Sequence, residues 1–371
     1  MSRRKILFVS EFFPPEGERN QTGGTISNRN LIRFLAQEYD VNVLTFDPTS
    51  KPHLFCSEPY KVIQKVRPAW RAAGLFLFWQ DFVRKCTKDL AGGANEPDFL
   101  IATTSTLAAF DVAPPQARCL AVVQAFENFG LNCRWVPPRS RVDLFKGAVL
   151  RRFQDGRLMR HADGVLTNSN FMRAAIARRF RIEPGRIHVL KQQVDCEPAT
   201  RRPPQKTIGF VHRGKDKNIA LVLEIARRSP DLTFLVYGHS AEIPDGRPAN
   251  VSIMGWQSDR SAMFASAAVW LVPSLWAEPF GRVSIEAQAA DRAVLVANCG
   301  GLPETIFDHR FLIDGYDPEA WLSRIRQILD LPETEIAAAG QLAREAFSKR
   351  AHDEAILTSM ASITRTVRKT K

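Results

Sequence analysis

Short apolar runs alternate along the chain with stretches whose apolar positions recur at helical spacing. Lys5 to Ser10 reads as a strand, and Gly23-Gly24-Thr25 as a loop opening a helix over Asn28 to Gln37. Leu31, Ile32, Phe34 and Leu35 give that helix its apolar face, and Val41 to Phe46 reads as the next strand. Strand, glycine turn, helix and strand form a βαβ unit, which implies a parallel sheet with right-handed crossovers. Further buried strands are predicted at Phe99 to Thr103, Cys119 to Val123, Gly164 to Thr167 and Ile187 to Leu190. Around Glu197 to Gln205 the text turns to Pro, Arg and Gln and reads as a linker.

After the linker the alternation restarts. Strands are predicted at Thr207 to Val211, Leu232 to Tyr237, Val251 to Met254, Ala268 to Val272 and Ala293 to Val296, with helices at Asn218 to Arg227 and Ser284 to Ala290. The pattern is therefore α/β: two Rossmann-like, doubly wound parallel-sheet domains facing a central cleft, with ligands expected at the carboxyl ends of strands. A length of 371 residues suits two domains at roughly 150 residues each.

Composition changes this picture little. An apolar share of 45% and a charged share of 24% are those of an ordinary globular chain, which excludes a disordered or polytopic membrane protein. Cys56, Cys86, Cys119, Cys133, Cys196 and Cys299 are scattered singly, without the close pairs of a zinc site or disulfide framework, and suit a reducing cytosol. Ser2-Arg3-Arg4-Lys5 followed by Ile6 to Val9 mimics a signal peptide, but the apolar run is short and Glu11 interrupts it. No apolar stretch approaches the roughly 20 residues that span a bilayer, so any membrane contact is expected to be peripheral.

Charge changes it more. Of the net +12, residues 1–206 carry 32 Lys/Arg against 19 Asp/Glu, a surplus of 13, while the remainder carries 19 against 20. Arg134 to Arg181 alone holds 12 basic and 3 acidic residues. Fixed positive charge concentrates polyanions, so this half suits anionic lipid head groups or an acidic glycan, or is a solvated helix face. Nucleic acid is not favoured, since no helix-turn-helix, zinc finger or aromatic-rich binding sheet accompanies the charge. The apolar segment Trp70 to Phe82, flanked by Arg67, Arg71, Arg84 and Lys85, has the composition of an interfacial surface and equally that of a core helix.

The densest chemistry lies between Pro273 and Glu304. A buried strand ends at Val272, and a loop with Pro279 and Gly281 leads into a helix. The first-turn N–H groups of such a helix lack internal partners and carry partial positive charge, which suits a diphosphate. Glu278 lies in the loop and Glu286 in the helix, and a carboxylate can accept two hydrogen bonds from the vicinal diol of a ribose or hexose. Asn298-Cys299-Gly300-Gly301-Leu302-Pro303-Glu304 follows.

This text resembles the retaining family 4 glycosyltransferases of the GT-B fold, whose motif places two glutamates with seven residues between them, the spacing of Glu278 and Glu286. The likeness extends to Pro273-Ser274, Glu278-Pro279-Phe280-Gly281, Glu286-Ala287 and Gly300-Gly301-Leu302-Pro303-Glu304. The resemblance implies that Glu286, expected as a surface-lining carboxylate, binds the donor ribose and Glu278 the transferred sugar. The backbone at Phe280, Gly281 and Arg282, with Gly300 and Gly301, would bind the sugar and diphosphate. After the strand Thr207 to Val211, Arg213 and Lys217 match the family's basic pair and would neutralise the departing diphosphate; Lys215 competes for that role. Gly23 and Gly24 match the glycine pair that lets backbone approach phosphates and acceptor. Gln124 and Glu127 fall where relatives line the sugar and acceptor pocket.

The resemblance further implies an N-terminal acceptor-binding domain over 1–190 and a nucleotide-sugar-binding domain over 191–351. The C-terminal helix, about 352–371, is expected to pack back on the first. Lys191-Gln192-Gln193-Val194-Asp195 and Ala290-Asp291-Arg292-Ala293 depart from the family's usual text at a hinge-side turn and a helix end. The likeness is thinnest between Pro48 and Asp98, where acceptor specificity would lie. No Asp-x-Asp or His/acid cluster has metal-ligand spacing, so no metal or cofactor is expected. The implied activity is transfer of a sugar, with retention, from a nucleotide diphosphate donor to a glycan or lipid-linked acceptor in the bacterial cell envelope. A nucleotide-sugar epimerase and a non-catalytic partner subunit remain as alternatives.

Overall fold

The computed structural model describes residues 3–14, 22–47, 53–57, 59–66, 75–126, 129, 152–194, 197–199, 203, 205–238, 243 and 246–365. The chain divides into two compact units, residues 1–190 with 353–371 and residues 191–352.

The N-terminal unit holds an eight-stranded sheet in the order β3-β4-β2-β1-β5-β6-β7-β8. Its strands are β1 (Lys5–Ser10), β2 (Asp40–Asp47), β3 (His53–Ser57), β4 (Tyr60–Val66), β5 (Phe99–Thr103), β6 (Arg118–Val122), β7 (Gly164–Thr167) and β8 (Ile187–Val189). All neighbours are parallel except β3, which runs antiparallel to β4. Ile6 to Ser10 are all buried, as expected of a strand covered on both faces. Ile6 and Phe8 join a core with Leu31, Ile32 and Leu35 of α1 (Gly23–Glu38). Each such side chain contributes roughly 1.5–3 kcal/mol of burial. The same core takes Ile356, Met360 and Ile363 of the last helix, Lys349–Arg365.

Helix α1 begins at Gly23, five residues before the sequence pattern placed it. Thr22 caps it: its hydroxyl accepts from Thr25 N, while Thr25 Oγ1 accepts from Thr22 N in return. The apolar segment near Trp79 belongs to α2 (Leu75–Leu90). Trp79 is a core residue, its ring edge-on to Phe46 at 4.9 Å and its indole N–H donating to Ser105 O. Phe78 beside it is 60% exposed. Helices α3 (Arg152–His161) and α4 (Asn170–Phe180) follow.

The C-terminal unit holds an all-parallel sheet in the order β11-β10-β9-β12-β13-β14. Its strands are β9 (Thr207–His212), β10 (Thr233–Gly238), β11 (Val251–Gly255), β12 (Val269–Val272), β13 (Ala293–Ala297) and β14 (Leu312–Ile313). Numbered within the unit, this is the 3-2-1-4-5-6 order of a Rossmann sheet, and the order reverses between β9 and β12. The helices are α5 (Ile219–Arg228), α6 (Arg260–Ala265), α7 (Arg282–Ala289), α8 (Pro318–Leu329) and α9 (Glu333–Ala346); the last helix, α10, starts in this unit and runs mostly in the other. Gly209 on β9 is required by packing, since a Cβ there would lie 2.6 Å from the buried Trp270 ring. The linker and the residues before it are held to this unit where Ala199 N donates to Ala290 O and Val194 N to Phe347 O.

Candidate functional site

The strand order puts the loops after β9 and β12 side by side at the switch point, where open α/β sheets bind ligands. Leu275 N of the β12 loop donates to Asp216 O of the β9 loop at 2.9 Å. The β9 loop turns at Gly214, with φ of 140°, and passes through a tight helical turn at Lys215–Lys217 before Asn218 opens α5 in the left-handed region. Lys217 is thereby brought onto Glu278: Nζ donates to Oε1 at 2.6 Å. The buried Ser274 hydroxyl donates to the same oxygen. Two donors on Oε1 fix the carboxylate and leave Oε2 to accept from a ligand. Lys217 Nζ also lies 5.4 Å from the Trp276 ring centroid.

Glu278 is held from below as well. Gly301 N donates to Glu278 O at 2.7 Å. A Cβ on Gly300, whose φ is 64°, would lie 2.5 Å from Glu278 O, and one on Gly301 would lie 2.5 Å from Pro279 O. These glycines therefore let two backbone segments close on each other. Gly281 has φ of 126° and precedes α7, where a Cβ would meet Leu302 at 2.5 Å. The Phe280 ring turns inward onto Phe347 at 5.5 Å, leaving its backbone at the start of the helix.

Glu286 is not the surface-lining carboxylate that the motif suggests. It is 2% exposed and carries two arginines: Oε1 accepts from Arg282 Nε and Nη2, at 3.2 and 3.0 Å, and Oε2 accepts from Arg260 Nη2. The physical reason is local: one helical turn separates Arg282 from Glu286, and α6 brings Arg260 across from the β11 side. Arg282 Nη1 also reaches Gln192 Oε1 and Gln193 O, both at 3.3 Å. Arg213 is exposed and lies over the Trp256 ring, 5.0 Å from its centroid. Although the side chain reaches solvent, nearby protein atoms desolvate the guanidinium and lower its pKa; like any arginine it stays cationic at neutral pH.

Cys299 and Tyr316 complete this side. Burial raises the pKa of the Cys299 thiol. Tyr316 is pushed up to about 12 by burial and by the neighbouring Cys299, and its hydroxyl donates to Ser274 O at 2.6 Å. Sequence reading missed Arg260, Trp256 and Tyr316. The first two follow β11 at its carboxyl end, the one signal that pointed toward them.

In the N-terminal unit Gly23 and Gly24 lie in the first turn of α1. The Gln124 amide donates to Ser27 Oγ at 3.0 Å and Asn28 Oδ1 at 3.2 Å, and a Cβ on Gly24 would sit 3.4 Å from Gln124 Oε1. Gln124 and the glycine pair thus share one polar corner. Glu127 lies outside the described residues. Among the described residues, no group of three His, Cys, Asp or Glu is arranged to hold a metal ion, and no helix is long and apolar enough to cross a membrane.

Known proteins share this fold. Residues 22–198 match the family described as Glycosyltransferase Family 4, and residues 195–346 match Glycosyl transferases group 1. The structure is similar to sucrose-phosphate synthase from Thermosynechococcus elongatus, with a TM-score of 0.78 at 19% identity over 98% of each chain. It is also similar to HepE of Anabaena in complex with UDP and glucose, with a TM-score of 0.67 at 16% identity over 97% of this chain and 100% of that one. These likenesses define the class as the GT-B fold. D-inositol 3-phosphate glycosyltransferase of Segniliparus rotundus is 29% identical over 212 residues, 48% of this chain and 47% of that protein. The chain spans about half the length of the curated relatives it matches. It is a GT-B protein related to the group 1 and family 4 glycosyltransferases.

Proposed function

We propose that the protein moves a sugar from a nucleotide diphosphate sugar to a hydroxyl of a glycan or lipid-linked acceptor, with retention of anomeric configuration. The observation that carries this reading is the Lys217–Glu278 pair at the switch point, set beside the start of α7. It puts a cation, a sugar-binding carboxylate and a helix N-terminus in one place. Glu278 Oε2 accepts from a hydroxyl of the transferred sugar. Glu286 Oε2, engaged by Arg260 along one direction, has a second for a ribose hydroxyl. Arg213, Lys217 and the first-turn N–H groups of α7 stabilise the diphosphate as its charge grows. The anomeric carbon–phosphate oxygen bond breaks while the acceptor oxygen bonds the same face of that carbon. The acceptor proton passes to the departing phosphate oxygen, so no protein nucleophile is required. Gln124 and the Gly23-Gly24 turn serve the acceptor in the N-terminal unit. The acceptor in this reading is a cell-envelope glycan or glycolipid.

The test is a panel of nucleotide sugars with and without acceptors, read by mass spectrometry, with the product anomer assigned by NMR. Transfer is expected only with an acceptor, with retention, and undiminished in EDTA because fixed cations meet the diphosphate. Glu286→Gln should raise donor KM by about tenfold to a hundredfold, the equivalent of about 1–3 kcal/mol. Sugar conversion without acceptor would identify an epimerase instead, and absence of donor binding across the panel a non-catalytic subunit.

A further inference from the structure

The donor-site reading assigns roles to Arg213 and Glu286, which lie on different elements. One short segment reaches both. Leaving the carboxyl end of β11, the chain passes Trp256, whose ring lies under the Arg213 guanidinium at 5.0 Å, and four residues later Arg260, which donates to Glu286 Oε2. Asp259 caps α6 through its hydrogen bond from Ala262 N at 2.9 Å, which fixes where Arg260 leaves the backbone.

The two contacts have different physical characters and a common effect. Trp256 is 42% exposed, so its ring face is open to the Arg213 guanidinium that lies over it. A cation–π contact restrains a long side chain that otherwise samples many rotamers. Arg260 acts on a carboxylate that is almost wholly buried. Without it Glu286 is left to Arg282, one turn away on the same helix, which also reaches back to Gln192 and Gln193. The carboxylate would then be drawn toward its own helix start, away from the β11 side.

Resting on the donor-site reading above, we propose that Trp256 and Arg260 are positioning residues: the segment after β11 holds Arg213 and Glu286 in their donor-binding orientations. Neither residue bonds to the reacting atoms. Their loss weakens donor binding through their partners.

Double-mutant cycles test this, with UDP and GDP as probes titrated by calorimetry and with donor KM and kcat measured on whichever nucleotide sugar is turned over. Trp256→Ala should weaken nucleotide binding about threefold, and Arg260→Ala about tenfold, with KM rising more than kcat falls. Trp256→Phe and Arg260→Lys should recover part of each loss. In an Arg213→Ala background Trp256→Ala should have no further effect, and in a Glu286→Gln background Arg260→Ala should have none. Multiplying losses in the double variants, or unchanged or tighter binding in the folded single variants, would overturn the proposal. If Arg213→Ala and Glu286→Gln themselves leave binding unchanged, the donor-site reading has failed instead.

Discussion

The Glu278 carboxylate is the end of a chain of contacts that begins at Tyr316. The tyrosine hydroxyl donates to Ser274 O, the Ser274 hydroxyl donates to Glu278, and Lys217 closes on the same oxygen. Burial, with the neighbouring Cys299, pushes the Tyr316 pKa up to about 12, against about 10 for an unfolded tyrosine. Its folded-state pKa is raised, so its contribution to stability is fully present below about pH 10 and is lost as pH rises toward 12. The difference in melting temperature between wild type and Tyr316→Phe should therefore narrow across that interval. A difference that stays constant with pH would show that the hydroxyl does not titrate in this environment. At this scale the sequence spoke where chemistry is local. Glu278, Glu286, Arg213 and Lys217 stand in a short recognisable text, but which side chain each touches does not. Nothing in the spacing between Arg260 and Glu286 shows that a β11 segment crosses to α7, and so Glu286 reads as open when two arginines cover it.

Strands buried inside the sheets were legible. β1, β5, β7, β9 and β12 lie inside sheets and read as unbroken apolar runs. β4 reads Tyr-Lys-Val-Ile-Gln-Lys-Val, with lysines and a glutamine breaking the apolar run, and β3 is an antiparallel strand at the sheet edge. Both escaped the pattern. The start of α1 was placed late because two glycines open it, and glycine reads as loop, whereas the Thr22–Thr25 box supplies the cap. Glycine also decides the geometry of the β12–α7 connection. Gly301→Ala sets a methyl 2.5 Å from Pro279 O and 3.1 Å from Phe280 Cα, both backbone atoms that cannot swing aside. It should cost about 1–3 kcal/mol and weaken nucleotide binding together with stability. Gly246→Ala, with no described residue within 4 Å of the added methyl, should leave both unchanged. Chemical denaturation and calorimetry of the two variants measure this, and equal behaviour would mean that the loop relaxes around Gly301 freely.

Across the whole molecule the charge is unequal, and an anionic membrane surface is the partner we propose for the basic half. Arg157, Arg160, Arg173, Arg178 and Arg181 on and just after α3 and α4 are exposed, although Arg157 is paired with Asp111 at 2.6 Å. The aromatic half of the attraction is smaller than the sequence suggests. Trp79 is spent on the core, and Phe78 is the exposed aromatic of α2 among residues whose side chains are described. Trp70 and the Phe76 side chain lie outside the described residues. Binding should therefore rest on charge more than on insertion, at about 1 kcal/mol for each basic residue near the surface. The Debye length shrinks from about 30 Å at 0.01 M salt to about 10 Å at 0.1 M, so the attraction should fall steeply over that range. Sedimentation with phosphatidylglycerol vesicles is expected to show salt-sensitive binding that phosphatidylcholine vesicles lack. Arg173→Glu with Arg178→Glu should abolish most of it, Phe78→Ala should reduce it slightly, and Trp79→Ala should instead lower thermal stability. Binding that resists salt would point to insertion by an apolar surface, and no binding to anionic vesicles at low salt would make these arginines a solvated face or a site for a soluble acidic glycan.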